Sequence, residues 1–157
     1  MDEEINRSIE DCRDDLRKIK KWIDENSLHD NVRYLVSYSV IRACSVIEVA
    51  YKQMIFNFLS ESARVETKNY LERHILDSSH NPRPEIILSI IEQFDSDRKI
   101  ILDKAIKGTN EKGFLNSLVS LRNAIAHGKT YTSSIDDVIK YFEGGLIVLN
   151  ELETALK

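Results

Sequence analysis

The residues best suited to site chemistry stand together in Leu121-Arg122-Asn123-Ala124-Ile125-Ala126-His127-Gly128. An imidazole exchanges protons near neutrality, and a guanidinium is a permanent cation with a planar fork of donors for anionic oxygens. Bare spacing is weak, since an Arg and a His five apart arise by chance in about one chain in seven of this length. A histidine in a last helical turn, followed by a capping glycine, is also ordinary helix-end chemistry. The setting adds weight. Asn123 and His127 are four apart and share a helix face, and Arg122 lies about 140° around the helix, within reach of a long side chain. Ala124, Ala126 and Gly128 are small and leave room for a ligand or a second helix.

Other familiar chemistry is missing. No G-x-G-x-x-G, G-x-x-x-x-G-K-[S/T] or G-x-S-x-G occurs, so dinucleotide, phosphate-loop and nucleophile-elbow readings lapse. Cys12 and Cys44 are 32 residues apart, without a neighbouring histidine or a C-x-x-C spacing. They predict free thiols in a reducing cytoplasm rather than a disulfide framework. His74 and His80 fit no common zinc spacing, and no metal or cofactor is expected. His29, His74 and His80 are read as surface residues.

The elements that must position the motif are helical. Five glycines and two prolines leave few breaks in 157 residues. Apolar residues three and four apart predict helices over about Glu4–Ile23 and Val32–Leu59, the second with a stripe wide enough for the centre of a bundle. A shorter helix is expected around Ser62–Leu76, then a loop from Asp77 to Arg83, with Pro84 at the first position of the next helix. That helix carries Ile86, Ile87, Ile90, Ile91 and Phe94, and a short one over Arg98–Ile106 is optional. The motif closes an amphipathic segment, Phe114–Ala126, with Gly128 suited to a left-handed cap. Ser134 and Asp137 make a capping-box start for a last long helix to Leu156, in which Gly144-Gly145 suits a close helix crossing or a kink. The fold class is therefore all-α, a compact bundle of about five to six helices with a long second and a long C-terminal helix. It reads as one domain over 1–157, an acidic N-terminal helix (1–28) added to a core at 30–155.

Charge is unevenly distributed. The chain has 22 Lys plus Arg and 26 Asp plus Glu, net −4. Residues 1–30 hold ten acids and six bases, the whole excess, while Arg98 to Lys129 holds seven bases against Asp103 and Glu111. That local +5 around the motif predicts an anion-attracting region. The longest aliphatic run, Leu146–Leu149, is too short to span a membrane. The acidic first residues do not read as a targeting segment.

The segment Arg122-Asn123-x-x-x-His127-Gly128, closing a core helix and leading by a polar loop into a final helix, resembles the HEPN superfamily. A RiboL-PSP-HEPN-like branch is the candidate within it. Ile41-Arg42-Ala43-Cys44-Ser45-Val46-Ile47-Glu48 on the second helix is similar to an early-helix arginine-to-glutamate pattern of some branches, and the resemblance covers about residues 30–155. It implies a metal-independent endoribonuclease, a homodimer in which two motifs meet across a two-fold axis. Arg122 and His127 would be catalytic and Asn123 would orient them. Cleavage would proceed by attack of the ribose 2′-hydroxyl, giving a 2′,3′-cyclic phosphate and a 5′-hydroxyl, and DNA would be spared.

The pattern departs from branches that carry a modifiable tyrosine two residues after the motif histidine: here that position is Lys129, and Tyr131 comes four residues after. Glu48, Arg42, Tyr131 and Lys129 are weaker site candidates: Glu48 can pair with Lys52 one turn on, and Tyr131 is placed to line the site. The partners expected are RNA, a second copy of the chain, and an antitoxin or other regulatory protein, in a toxin, defence or RNA-processing role. Membrane and DNA are not expected. Two non-enzymatic alternatives stand beside this reading: a HEPN-like module that binds a nucleotide, RNA or a protein, and a helical interaction subunit. An intact Arg122–His127 pair favours catalysis, and the acidic first helix favours a protein contact.

Overall fold

Asp2 opens the first helix, its carboxylate accepting from the Ile5 N–H at 2.8 Å. Helix α1 (Glu3–Glu25) follows in a computed structural model of residues 1–157. Next come α2 (Val32–Ser60), α3 (Val65–Leu71) with a π-helical turn at Glu72–Leu76, α4 (Pro84–Glu92), α5 (Ser96–Ile106), α6 (Asn110–Ala126) and α7 (Ile135–Leu156). The chain is all-α, as the periodicity predicts, with seven helices rather than five or six. The extra count has one source. The optional helix after Phe94 is real: the Asp95 carboxylate caps it by accepting from the Asp97 and Arg98 N–H groups at 3.1 and 3.0 Å. The segment expected over 62–76 begins later, at Val65, and its last turn widens so that Asp77 N–H reaches back five residues to Glu72 O.

Helix α6 also starts four residues earlier than its apolar pattern. Gly108 leaves α5 with φ +76°, and Thr109 Oγ1 accepts from Lys112 N–H at 3.3 Å. The first turn, Asn110-Glu111-Lys112-Gly113, is polar and carries no periodic signal.

Helix α2 is the axis of the bundle and packs against α1, α6, α7 and the π turn. One cluster of 33 buried apolar residues draws on every helix except α3 and includes Ile5, Ile9, Cys12, Leu16 and Ile23 of α1. The glycine pair is a crossing point, and α7 runs through it without a break. A Cβ on Gly144 would lie 2.8 Å from Phe114 Cβ of α6, and one on Gly145 would lie 2.4 Å from Ile47 Cδ1 of α2. Helix α7 thus approaches both neighbours more closely than any larger residue permits. The capping box forms as expected: Ser134 Oγ accepts from Asp137 N–H at 3.1 Å, and the Asp137 carboxylate accepts from Ser134 N–H at 2.9 Å. No helix is long and apolar enough to cross a membrane.

Candidate active site

Leu115, Leu118 and Val119 are fully buried on the inner face of α6. Arg122 follows them at spacings of seven, four and three, so it continues the same stripe. It is nevertheless exposed, as is Ala126 one turn on. The inner face of α6 is therefore covered by core for its middle turns and left open at its C-terminal end. A charged residue in a core register, at the point where the cover stops, is the signature that separates this arginine from a solvated surface one.

The helix end beside it is fixed by a Schellman cap. Gly128 takes φ +64°, its N–H donates to Ile125 O at 3.1 Å, and Lys129 N–H donates to Ala124 O at 2.9 Å. His127 is the cap residue itself and is exposed. The one side-chain hydrogen bond of Arg122 goes to Asn123 Oδ1 at 3.3 Å, and neither Arg122 nor His127 forms an ion pair. The guanidinium also lies near α2. Burial pushes the Cys44 thiol up to about 12, and the nearby Arg122 charge opposes that push while Glu48 adds to it. Arg122 and Glu48 therefore both act on one point of α2, though no contact joins them. Cys12 and Cys44 are both free and buried.

Arg42 faces the other way: its Nε sits 3.4 Å from the Asp15 carboxylate of α1. Glu48 pairs with Lys52 at 2.7 Å, and the Lys52 ammonium also donates to Ser78 O. That ammonium is buried, so Glu48 is committed to a structural contact. Tyr131 shares a hydroxyl–hydroxyl bond with Ser37 of α2, which ties the α6–α7 loop to the start of α2. Lys129 is exposed beside it. The structure thus places Arg122, Asn123, His127, Lys129 and Tyr131 around one helix end, Glu48 nearby on α2, and Arg42 on a different face. His29, His74 and His80 are exposed, as read from the sequence.

The expected basic region is not one patch. Arg98 pairs with Asp95 at 3.1 Å and lies over the Phe58 ring. Lys99 pairs with Glu92 at 3.3 Å and Lys112 with Glu85 at 3.5 Å. These acids precede the stretch in sequence, so a window starting at Arg98 misses them. Lys104, Lys107, Arg122 and Lys129 remain without ion pairs. No group of three His, Cys, Asp or Glu side chains is arranged to hold a metal ion.

Sequence reasoning missed a groove of about 840 Å³ lined by Ile125 and Gly128, which flank His127. Its walls include Arg33, Tyr34 and Ser37 from the first turns of α2 and Lys129 and Tyr131 from the α6–α7 loop. The two walls are some ninety residues apart in sequence, and no local pattern marks their meeting.

No curated protein and no solved structure matches the chain. The family model described as RiboL-PSP-HEPN matches residues 7–157 and so takes in α1, which the motif-level resemblance left outside. With the Arg122–His127 motif closing α6 in an all-helical bundle and the match running through nearly every helix, the chain belongs to the RiboL-PSP-HEPN family, a family of HEPN-domain proteins.

Proposed function

We propose that the protein is a metal-independent endoribonuclease whose active site is completed by a second copy of the chain. HEPN domains are frequently ribonucleases. The observation that carries the reading is Arg122, held in the core register of α6 at an end nothing covers, with His127 exposed on the adjoining cap. In this reaction the imidazole of His127 takes the proton from a ribose 2′-hydroxyl, and the 2′-oxygen forms a bond to phosphorus. The bond to the 5′-oxygen breaks, and that oxygen receives a proton from a second imidazole. The products are a 2′,3′-cyclic phosphate and a 5′-hydroxyl. Arg122 stabilises the charge that grows on the non-bridging oxygens. One chain offers a single motif histidine, whereas the reaction uses an acid and a base.

The surface suited to bring two copies together borders the site. Tyr38, Ile41 and Val49 are each about half exposed, at 52%, 48% and 58%, and with Ser45 form one stripe along α2. Cys44, on which the Arg122 charge acts, lies three residues from Ile41 at the edge of this stripe. A two-fold contact along this stripe sets two copies of Arg122 and His127 on either side of one cleft. One observation favours a second reading, a non-catalytic module that binds nucleotide, RNA or a protein: no side chain orients the His127 imidazole within a single chain.

Incubation of the purified protein with RNA in EDTA separates the two. Cleavage that disappears in both Arg122→Ala and His127→Ala supports the enzyme, and undiminished cleavage in either mutant rejects the site. In light scattering, Ile41→Arg is expected to convert a dimer to a monomer and to abolish cleavage; an active monomer would refute the composite site. The toxin, defence or RNA-processing role is tested by expression in cells, where growth arrest that depends on His127 is the outcome expected of a toxin.

A further inference from the structure

The groove at the start of α2 has features that its role as a seam between elements does not use. Seams close on apolar side chains, but this one stays open: five of its fourteen lining residues are hydrophobic, and polar side chains stand among largely apolar exposed surface. Its volume falls within the range of small-ligand sites, roughly 300–1,000 Å³. Two of its cations are unpaired. Arg33 makes no ion pair and lies over the Tyr34 ring, 4.6 Å from the centroid, and Lys129 makes none either. Asp30 is the one carboxylate in the walls. Thr130 and Thr132 add hydroxyls that both donate and accept.

The groove floor is held from both sides. The Tyr131 hydroxyl bonds the Ser37 hydroxyl and, at 3.4 Å, Arg33 O. The Schellman cap fixes the direction in which Lys129 leaves α6. Arg33 also donates to the Tyr34 hydroxyl, so its guanidinium lies toward that edge of the ring, and Tyr34 is 58% exposed on the rim. An exposed planar cation beside an exposed aromatic ring offers stacking surfaces for a nucleobase, and single-stranded RNA is recognised largely through such surfaces. Beside its apolar surface the groove offers a planar cation, an ammonium and hydroxyls, a combination suited to the base, phosphate and ribose of a nucleotide.

We infer that this groove seats the nucleotide next to the scissile phosphate, its base stacked on the Arg33–Tyr34 pair and its phosphate against Lys129. The assignment rests on reading the motif as RNA-cleaving. It adds a substrate class, unpaired RNA, and a specificity-determining pair, Arg33 and Tyr34, that the motif does not contain. A base within a duplex cannot reach the stack, so duplex RNA is a poor ligand.

The test uses the full chain carrying His127→Ala, so that binding is read without turnover, and a short labelled single-stranded RNA of mixed sequence. Adding Arg33→Ala is expected to weaken binding about tenfold. Arg33→Lys, which keeps the charge and loses the plane, should weaken it nearly as much. Lys129→Ala is expected to lower the slope of log affinity against log salt by about 0.7, the loss of one phosphate contact on a single strand. Lys107→Ala, a cation outside the groove, should leave affinity unchanged. Equal losses in Arg33→Ala and Lys107→Ala would reduce the effect to diffuse charge and overturn the assignment, as would full affinity in both groove mutants or no RNA binding at all. Cleavage is scored separately on the chain with His127 intact. Absent cleavage with Arg33-dependent binding rejects the ribonuclease and leaves the groove standing. Cleavage with groove-independent binding does the reverse.

Discussion

The middle and the C-terminal end of α6 carry out opposite tasks on one helix. In its middle turns, Phe114 lies against Gly144 of α7, and Leu115, Leu118 and Val119 have no exposed surface. Near its end, the same face presents Arg122 and Ala126 to the outside. The first region is stabilised by burial, at about 25 cal/mol per Å² of apolar surface removed from water. The second forgoes that gain and keeps a cation in the open. Arg122 occupies the core register without contributing to the core, which is why it carries the proposed site.

Mutation should therefore split the two regions cleanly. Arg122→Ala is expected to reduce RNA cleavage at least a hundredfold, the usual scale for removing a group that stabilises transition-state charge. Its stability in urea should stay within about 0.5 kcal/mol of the parent. Leu118→Ala, one turn earlier, should cost about 2–5 kcal/mol in the same titration. If Arg122→Ala proved as destabilising as Leu118→Ala, the contrast between the regions would collapse.

Smaller effects sharpen the comparison. Gly145→Ala places a Cβ against Ile47 Cδ1 and should cost about 1–3 kcal/mol through overpacking, readable as a lower melting temperature. At the open end, Gly128→Ala forces a Cβ into left-handed backbone and should cost about 1–2 kcal/mol. It should also displace Lys129, so RNA affinity falls along with stability. The smallest expected effect is at the start of α7. The Ser134 N–H bonded to Asp137 holds that carboxyl below the usual range. The folded value is depressed, so this contribution is present above the unfolded value near 3.9 and is lost as pH falls through the folded one. Asp137→Asn should flatten that part of the acid limb in a stability–pH titration.

Helix positions were legible wherever burial repeats at three and four residues, because the same periodicity that builds the core writes the pattern. The first turn of α6 escaped because it is capped rather than buried. The cap glycine at 128 and the capping box at Ser134 were readable from residue type alone. Arg122 and His127 were visible as a motif, but the stronger sign, the Leu115–Leu118–Val119–Arg122 register, needs burial to show that the cover ends. Charge was the least legible property. Arg98, Lys99 and Lys112 look like part of a basic field until Asp95, Glu92 and Glu85 are seen beside them. The groove was not legible at all, since its walls come from distant segments.

The crossing at Gly144-Gly145 also bears on the order in which the molecule assembles. Its contact with α6 closes a chain segment of 30 residues (114 to 144), and its contact with α2 closes one of 98 (47 to 145). Loop-closure entropy grows with length, so the α6–α7 hairpin is the cheaper unit to nucleate. The motif loop lies inside that hairpin. Ratios of kinetic to equilibrium destabilisation should accordingly be high for Phe142→Leu and Leu118→Ala and low for Ile47→Val. The segment that carries the Arg122–His127 motif would then be shaped in the earliest folding event, and α2 would arrive later to supply the second wall of the groove.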